Sequence, residues 1–203
     1  MLHILICALG SDELLELCLA SLARFAGPNY APHVLYLPLN TQDANEHGRT
    51  IDMWRQQMQR AQIIRDGDIV CIMDPDVALL SGEWRKALEC AFADSRVAIW
   101  GAGAEEDFGP RVHASMMAIR GEFWNRRQLP YSFVPCRDPR ERTWRDTGGL
   151  VCKWAQSVGL TVQPLERGPD WHEVSAWWGK VRVPQQSIPV WQPVPLWAHL
   201  GGG

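Results

Sequence analysis

The stretch GDIVCIMDPDVALLSG, residues 67–82, contains an apolar run that ends on two aspartates separated by one proline. The run IVCIM is short and rich in large apolar side chains, which predicts a buried strand. Asp74 and Asp76 follow it directly, and two carboxylates this close raise each other's pKa unless a cation lies nearby. Proline fixes the turn and removes a backbone donor, so both side chains can point toward one site. We therefore expect a divalent cation at Asp74 and Asp76, although a solvated loop is the plainer interpretation of an Asp-x-Asp match.

The segments before this motif alternate between strand and helix patterns. In order, they are a predicted strand at 3–9, a helix from 11 to 26, a strand at 33–39, a helix at 48–65 and the strand at 69–74. This alternation predicts an α/β fold with a mostly parallel, Rossmann-like sheet flanked by helices. Ligands of such sheets bind beyond the carboxyl ends of the strands, where Asp74 is expected.

The rest of the chain continues the same fold class and ends in a tail rich in proline and tryptophan. The patterns predict a helix at 82–94, strands at 96–103 and 111–121, a helix at 145–159 and a strand at 160–165. The last forty residues contain six prolines and five tryptophans. They are too rich in proline for a long helix and too aromatic to stay in water. We expect an extended tail that packs over the sheet edge or the mouth of the site.

Length and composition indicate a single globular domain over residues 1–203. With 203 residues, 46% of them hydrophobic, the chain can bury one sizeable core. No apolar run approaches the roughly 20 residues that span a bilayer, and no leader pattern follows Met1, so we expect a cytoplasmic protein without a membrane span. Six scattered cysteines without Cys-x-x-Cys spacing indicate reduced core residues rather than a disulfide or zinc framework.

Charge is distributed unevenly along the chain. Residues 1–110 carry eight basic and sixteen acidic side chains, whereas residues 111–145 carry eight arginines against three acids. The asymmetry predicts an anionic partner near the arginine segment, unless these arginines form an ordinary solvated face. The arginines are Arg111, Arg120, Arg126, Arg127, Arg137, Arg140, Arg142 and Arg145.

Two stretches of the first half resemble the GT-A class of nucleotide-sugar-dependent glycosyltransferases, and within it the large inverting family. ILICALGSDELLELCLASLARF resembles that family's opening strand and helix, and GDIVCIMDPDV its Asp-x-Asp strand. The resemblance covers residues 1–100 well and the remainder loosely. It implies that Asp76 binds Mn²⁺ or Mg²⁺ bridging the two phosphates of a nucleoside-diphosphate sugar. The donor of this class is a uridine or guanosine diphosphate sugar, and a UDP-sugar is the one expected here. It implies that Asp74 contacts the ribose or a metal-bound water.

The resemblance also implies which half of the chain binds which substrate, and which residues lie beside the nucleotide. Residues 1–110 would hold the donor and metal, and residues 111–203, with the tail, the acceptor. Ala8, Leu9 and Asn40, at the ends of the first two strands, are expected beside the nucleotide. The arginine-asparagine pair usual on the helix before the motif is missing, and Arg49 in HGRT is its approximate substitute.

Two residues of the second half are assigned roles by the same resemblance. An inverting transfer needs a general base, and TWRDTGGLV offers Asp146 at the start of a late helix. The alternative is that Asp146 only caps that helix. His199, before three glycines, is expected to fold back and complete the metal shell, and a mixed oxygen and nitrogen set suits manganese. An exposed histidine near a flexible end is the alternative.

The acceptor is the least determined part of the hypothesis. Its expected binding residues are Arg137, Arg140, Arg142, Trp144, Arg145 and Gly148. Arginines among aromatic side chains could bind DNA and stack on an extruded base, as in a phage-type enzyme of the host cytoplasm that modifies 5-hydroxymethylpyrimidines. A glycan, lipid-linked or protein acceptor remains open. So do two other classes, a nucleotidyltransferase and a non-catalytic module that binds nucleotide sugars or nucleic acid.

Overall fold

The protein is described here by a computed structural model. It describes residues 1–8, 12–36, 44–103, 110–126, 133–134, 136–137, 144–145, 147–165, 173–182, 190–191 and 194–200. The helices are α1 Asp12–Phe25, α2 Ala44–Arg60, α3 Glu83–Ala93, α4 Gly121–Trp124 and α5 Gly149–Ser157. The strands are β1 Leu2–Ala8, β2 Tyr30–Tyr36, β3 Ile69–Met73, β4 Val77–Leu79, β5 Val97–Gly103, β6 Val112–Arg120, β7 Cys136–Arg137, β8 Trp144–Arg145, β9 Thr161–Leu165, β10 Glu173–Ala176, β11 Gly179–Arg182, β12 Val190–Trp191, β13 Val194–Pro195 and β14 Trp197–His199.

A six-stranded sheet of order β2-β1-β3-β6-β5-β9 forms the centre of the fold. Strands β2, β1 and β3 are parallel neighbours, β6 runs antiparallel between β3 and β5, and β9 is parallel to β5. The register pairs Ala8 with Tyr36 and Ile6 with Met73, so β1, β2 and β3 end at one edge of the sheet. The predicted mostly parallel α/β sheet flanked by helices is confirmed.

Two apolar cores lie on the opposite faces of this sheet. Alternate residues of β1 separate accordingly: Ile4 and Ile6 pack with α1 and α3, whereas Leu5 and Cys7 pack with α2, α4 and α5. The first core is closed by the buried Trp84 of α3, and the second by residues such as Trp54 of α2. Both faces are covered, which explains why the parallel strands are continuous apolar runs.

Two predicted elements have different bounds in the structure. The second helix begins at Ala44 and ends at Arg60, four residues earlier than the expected start and five before the expected end. The second strand begins at Tyr30 rather than at residue 33. Glycine is a poor helix former, so local propensity favours Gly48 at a helix boundary. A β-carbon at Gly48 would lie 2.6 Å from backbone atoms of Phe133 and Val134, so close packing against this segment requires glycine inside the helix.

The C-terminal tail packs against the chain near the acidic motif, as expected. Strand β14 pairs antiparallel with β4, and its Trp197 is buried against Trp100 of β5 with ring centroids 5.9 Å apart. Among the cysteines that the structure describes, Cys7, Cys18, Cys71 and Cys152 are free and buried, whereas Cys90 is exposed and corrects the expectation of a core position. Within the described parts of the chain, none of the helices has the length and apolarity to cross a membrane.

A buried polar network crosses the amino-terminal end of the sheet. Nδ1 of His3 lies 3.2 Å from Nε2 of His33, and Nε2 of His3 lies 3.4 Å from a carboxylate oxygen of Asp68. The backbone N–H of Arg65 also donates to Asp68, at 2.8 Å. Burial lowers the pKa of His33, and the neighbouring His3 lowers it further. The folded protein therefore disfavours the protonated form of His33.

This network predicts that His33 lowers the stability of the fold in acid. The unfolded chain titrates His33 near pH 6.5 and the folded chain at a lower pH, so its contribution is fully present above pH 6.5 and is lost as pH falls through the folded pKa. His33→Gln keeps a hydrogen-bonding group but cannot titrate. The free energy of unfolding, measured with urea at a series of pH values, should therefore fall in wild type relative to this variant over the window. The same pH dependence in wild type and His33→Gln would exclude a contribution from His33.

Candidate functional site

The two aspartates lie at the first and third positions of a tight turn that follows β3. The backbone N–H of Val77 donates to the carbonyl of Asp74 at 3.1 Å, which closes a four-residue turn with Pro75 at its second position. The N–H of Asp74 donates to the carbonyl of Ser115 on β6 at 2.9 Å. The motif is therefore anchored on both sides, and it lies at the carboxyl end of a buried parallel strand.

Strand β14 brings His199 to this turn. His199 is opposite Val77 in the β14–β4 ladder, and the N–H of Leu200 donates to the carbonyl of Asp76 at 2.7 Å. The other side of β4 is held by Ser21 of α1, whose buried hydroxyl accepts the N–H of Leu79 at 3.0 Å. Hydrogen bonds of 3.0 Å or less thus connect β4 and the acidic turn to α1 on one side and to the β14 segment on the other. This explains how His199, far along the chain, reaches the motif.

The three side chains form a compact cluster. Nε2 of His199 lies 3.1 Å from Oδ1 of Asp76 and 3.9 Å from Oδ2 of Asp74. One ligand atom from each residue can be chosen so that all three lie within 4.8 Å of one another. The side chains keep about a fifth of their surface exposed, so the cluster is recessed but open to solvent.

The electrostatics of the cluster favour an added positive charge. Burial raises the pKa of Asp74 and the charge of Asp76 raises it further, while the imidazoles of His47, His199 and His113 act in the opposite direction. Burial lowers the pKa of His199, but its contact with Asp76 and the charges of Asp76 and Asp74 outweigh that effect and leave the pKa raised. Both shifts mean that the cluster retains protons, as expected where negative charge is incompletely neutralised.

The donor set fits a divalent cation. Ligand atoms about 2.0–2.6 Å from one ion lie about 3–5 Å from each other, and the observed separations fall in this range. Two carboxylates and one imidazole form a mixed oxygen and nitrogen set of the kind that binds first-row divalent metals as well as zinc. The geometry therefore allows Asp74, Asp76 and His199 to bind one ion together.

Two further histidines lie at this edge of the sheet. Nε2 of His47, in the first turns of α2, lies 3.7 Å from Oδ1 of Asp74. His113 of β6 accepts the N–H of Ser115 through Nδ1 at 3.1 Å. His47 was not predicted as a site residue, because the expected second helix begins one residue after it. A helix start at Ala44, inside the polar stretch 40–48, would have included it.

The predicted nucleotide neighbours are placed only in part. Ala8 ends β1, and its side chain packs into the core beneath α1, so only its backbone faces the edge. The Arg49 side chain is 61% exposed and forms an ion pair with Glu46 of its own helix. Leu9 and Asn40 lie outside the described residues. Their nucleotide contacts remain predictions.

The predicted catalytic and acceptor residues fall mostly outside the described part. Asp146, Arg140 and Arg142 are not among the described residues, and Arg137, Trp144 and Arg145 are described by their backbone alone. The residue at the N-cap of α5 is Gly148, with no side-chain cap. Its φ is +80°, and a β-carbon at this position would lie 2.6 Å from the methyl group of Met117. Backbone conformation and packing therefore explain the glycine without any substrate.

The described arginines have structural contacts. Arg120 donates to the carbonyls of Phe92, Asp94 and Val97, at 2.8–2.9 Å. Arg111 is buried, and Arg126 lies over the rings of Phe123 and Trp154. An anionic partner near the arginine segment stays a prediction.

No protein-family model matches the chain, and no curated protein matches it. It is similar in fold to a glycosyltransferase involved in the glycosylation of the major capsid of PBCV-1, with a TM-score of 0.41 and 15% identity over 64% of this chain and 68% of that one. For 4-diphosphocytidyl-2C-methyl-D-erythritol synthase the TM-score is 0.49, with 12% identity over 81% of this chain and 89% of that one. For S. aureus TarS the TM-score is 0.39, with 12% identity over 60% of this chain and 47% of that one. These likenesses are distant, so the chemistry is argued from this chain's own residues.

The packing of the tail predicts that Trp197→Ala destabilises the protein. A buried tryptophan replaced by alanine loses its apolar contacts and leaves a cavity, which costs about 3–5 kcal/mol of unfolding free energy. Urea unfolding monitored by circular dichroism measures this loss. The matched control is Trp177→Ala, since Trp177 is 39% exposed and should cost much less. Equal losses in the two variants would contradict the described packing of β14.

Proposed function

We propose that the protein is a metal-dependent glycosyltransferase that moves a sugar from a nucleoside-diphosphate sugar to an acceptor hydroxyl. The observation that supports this most is the cluster of Asp74, Asp76 and His199 at the carboxyl end of β3. Open parallel sheets bind nucleotides at this edge, and a diphosphate needs a cation there. We expect Mn²⁺ or Mg²⁺ as the ion and a UDP-sugar as the donor.

Asp74, Asp76 and His199 would have different roles at this site. Asp76 and His199 hold the ion, and Asp74 contributes an oxygen to it or to the donor's ribose. When bound, the ion neutralises charge on the departing nucleoside diphosphate. Pro75 keeps both carboxylates on the same side of the turn, and β14 holds His199 opposite them. The backbone at the end of β1, with Leu9, Asn40 and Arg49, would contact the nucleotide.

The transfer itself needs a base for the acceptor. The bond between the sugar's anomeric carbon and a phosphate oxygen breaks, a bond to the acceptor oxygen forms, and the acceptor's proton passes to the base. We assign this role to Asp146. In the sequence Asp146 stands two residues before Gly148, the N-cap of α5.

We assign acceptor binding to the second half of the chain, residues 111–203. Its candidate side chains are Arg137, Arg140, Arg142, Trp144 and Arg145, with Gly148. The described Arg111, Arg120 and Arg126 have structural contacts and do not single out a polyanion. The proposal therefore names a hydroxyl acceptor, with hydroxymethylated DNA, a glycan, a lipid-linked molecule and a protein as the classes to be tried.

Metal-dependent release of nucleoside diphosphate should be measurable with the purified protein. Wild type, given a panel of nucleoside-diphosphate sugars and Mn²⁺, should release the nucleoside diphosphate, and Asp76→Ala should lower the rate on the order of a hundredfold or more. Liquid chromatography of the nucleotide products measures both. Glu89→Ala, an exposed acid on α3, is the control and should match wild type.

The products separate the proposed function from its rivals. A nucleotidyltransferase would release pyrophosphate from a nucleoside triphosphate instead of a nucleoside diphosphate from a sugar nucleotide. A folded wild type that binds donors without turnover would be a binding module. Either result would contradict the proposal.

Replacing the proposed base should separate binding from transfer. Asp146→Asn keeps the shape and removes the basic oxygen, so transfer should fall by about 10²–10⁴-fold while donor affinity stays unchanged. Single-turnover transfer and calorimetric donor titration give the two quantities. Transfer at the wild-type rate in Asp146→Asn would exclude this residue as the base.

A further inference from the structure

His47 lies directly beside the candidate metal cluster. It lies on α2, and its Nε2 is 3.7 Å from Oδ1 of Asp74. The side chain is 19% exposed, but the Nε2 atom itself is shielded from solvent. A ring nitrogen placed this close to a carboxylate and away from water has a restricted choice of partners. Asp74 is therefore its natural acceptor.

The nitrogen is also unsatisfied. Nε2 of His47 has no hydrogen-bond partner in the described part of the chain, and 3.7 Å is longer than the usual N–H···O distance of about 2.7–3.2 Å. A buried polar nitrogen without a partner costs free energy, because it has given up its hydrogen bonds to water. A shift of roughly half an ångström would bring the two atoms into hydrogen-bond range. Such a shift is small for a carboxylate that adjusts to a bound ion.

His47 is not placed to share the ion with the whole cluster. The ligand atoms that lie within 4.8 Å of one another come from Asp74, Asp76 and His199, and among the described residues no such group includes His47. Its contact is with one oxygen of Asp74, whereas His199 is nearest the other oxygen. The two imidazoles thus approach opposite oxygens of the same carboxylate. One can orient it while the other binds the ion with it.

The position of His47 is held by tight packing. Gly48, the next residue, packs against the backbone of Phe133 and Val134 so closely that a β-carbon would lie 2.6 Å from it. Asp52, one turn further along α2, accepts the backbone N–H of Phe133 at 3.1 Å. These contacts fix the first turns of α2, so the imidazole is presented from a rigid support.

We propose that His47 is a positioning residue for the metal site: its Nε2–H donates to Oδ1 of Asp74 and orients that carboxylate toward the ion. The inference rests on the proposed metal site. Groups that hydrogen-bond to a metal-binding carboxylate typically account for about 10–100-fold in metal affinity. His47 therefore determines affinity without binding the ion itself.

The test titrates Mn²⁺ alone into the protein and its variants, with calorimetry and electron paramagnetic resonance as readouts. His47→Phe removes the donor while keeping a ring, and its dissociation constant should rise about tenfold or more. His47→Gln offers an amide N–H near the position of Nε2 and should recover most of that loss. Gln56→Ala, an exposed change on the same helix, is the control and should bind as wild type does.

The outcomes distinguish the inference from the function on which it rests. Wild-type affinity in His47→Phe would overturn the positioning role, and so would a loss in His47→Gln as large as that in His47→Phe. The bound Mn²⁺ of His47→Phe should keep the nitrogen coupling of His199, and loss of that coupling would make His47 a ligand instead. A folded wild type that binds no Mn²⁺ would overturn the proposed metal site as well.

Discussion

Two carboxylates held at one tight turn repel each other, and the side chains placed around them are of the kind that lessens this repulsion. The proline turn and a hydrogen bond to β6 fix the backbone of the motif and keep the carboxylates of Asp74 and Asp76 close together. The chain supplies imidazoles on their open sides, from α2 and from β14. Burial and the charge of Asp76 raise the pKa of Asp74 more than the neighbouring imidazoles lower it, and the contact with Asp76 keeps the pKa of His199 raised in spite of its burial. A bound cation would relieve the repulsion directly.

The fold explains how residues from distant parts of the chain meet at this point. Parallel strands β1, β2 and β3 end at one edge because crossover helices return the chain to the opposite edge each time. Strand β14 then adds the tail to β4, which is the short strand that follows the acidic turn. The cluster therefore depends on the first core, since α1 supports β4 through Ser21 and Trp197 packs against Trp100 on that same face of the sheet.

Local patterns predicted the sheet well because its strands are buried on both faces. The apolar runs that end at Ala8 and Met73 are short, and glycine or aspartate follows each of them closely. Such signals depend on the segment alone, so the sequence is sufficient to find them. The Asp-x-Asp turn was predictable for the same reason. The role of His199 came only from the family resemblance, because nothing within LWAHLGGG indicates that it pairs with β4.

The remaining features depend on contacts between distant segments. The start of α2 was misplaced because Gly48 is unfavourable in a helix by propensity, while the backbone of Phe133 and Val134 requires it there. His47 was missed with it. Arg120 belongs to the basic segment by composition, yet it donates to three backbone carbonyls around β5 and α3. A composition count cannot distinguish such an arginine from one that binds an anionic partner.

Asp74, Asp76 and His199 are proposed to bind one divalent cation together. A crystal structure of the protein with Mn²⁺, with anomalous scattering recorded near the manganese edge, tests it most directly. The account predicts one strong anomalous peak about 2.0–2.5 Å from an oxygen of Asp76 and from Nε2 of His199, with an Asp74 oxygen in the same shell or hydrogen-bonded to it. A crystal with saturating Mn²⁺ and no peak between these side chains would contradict it.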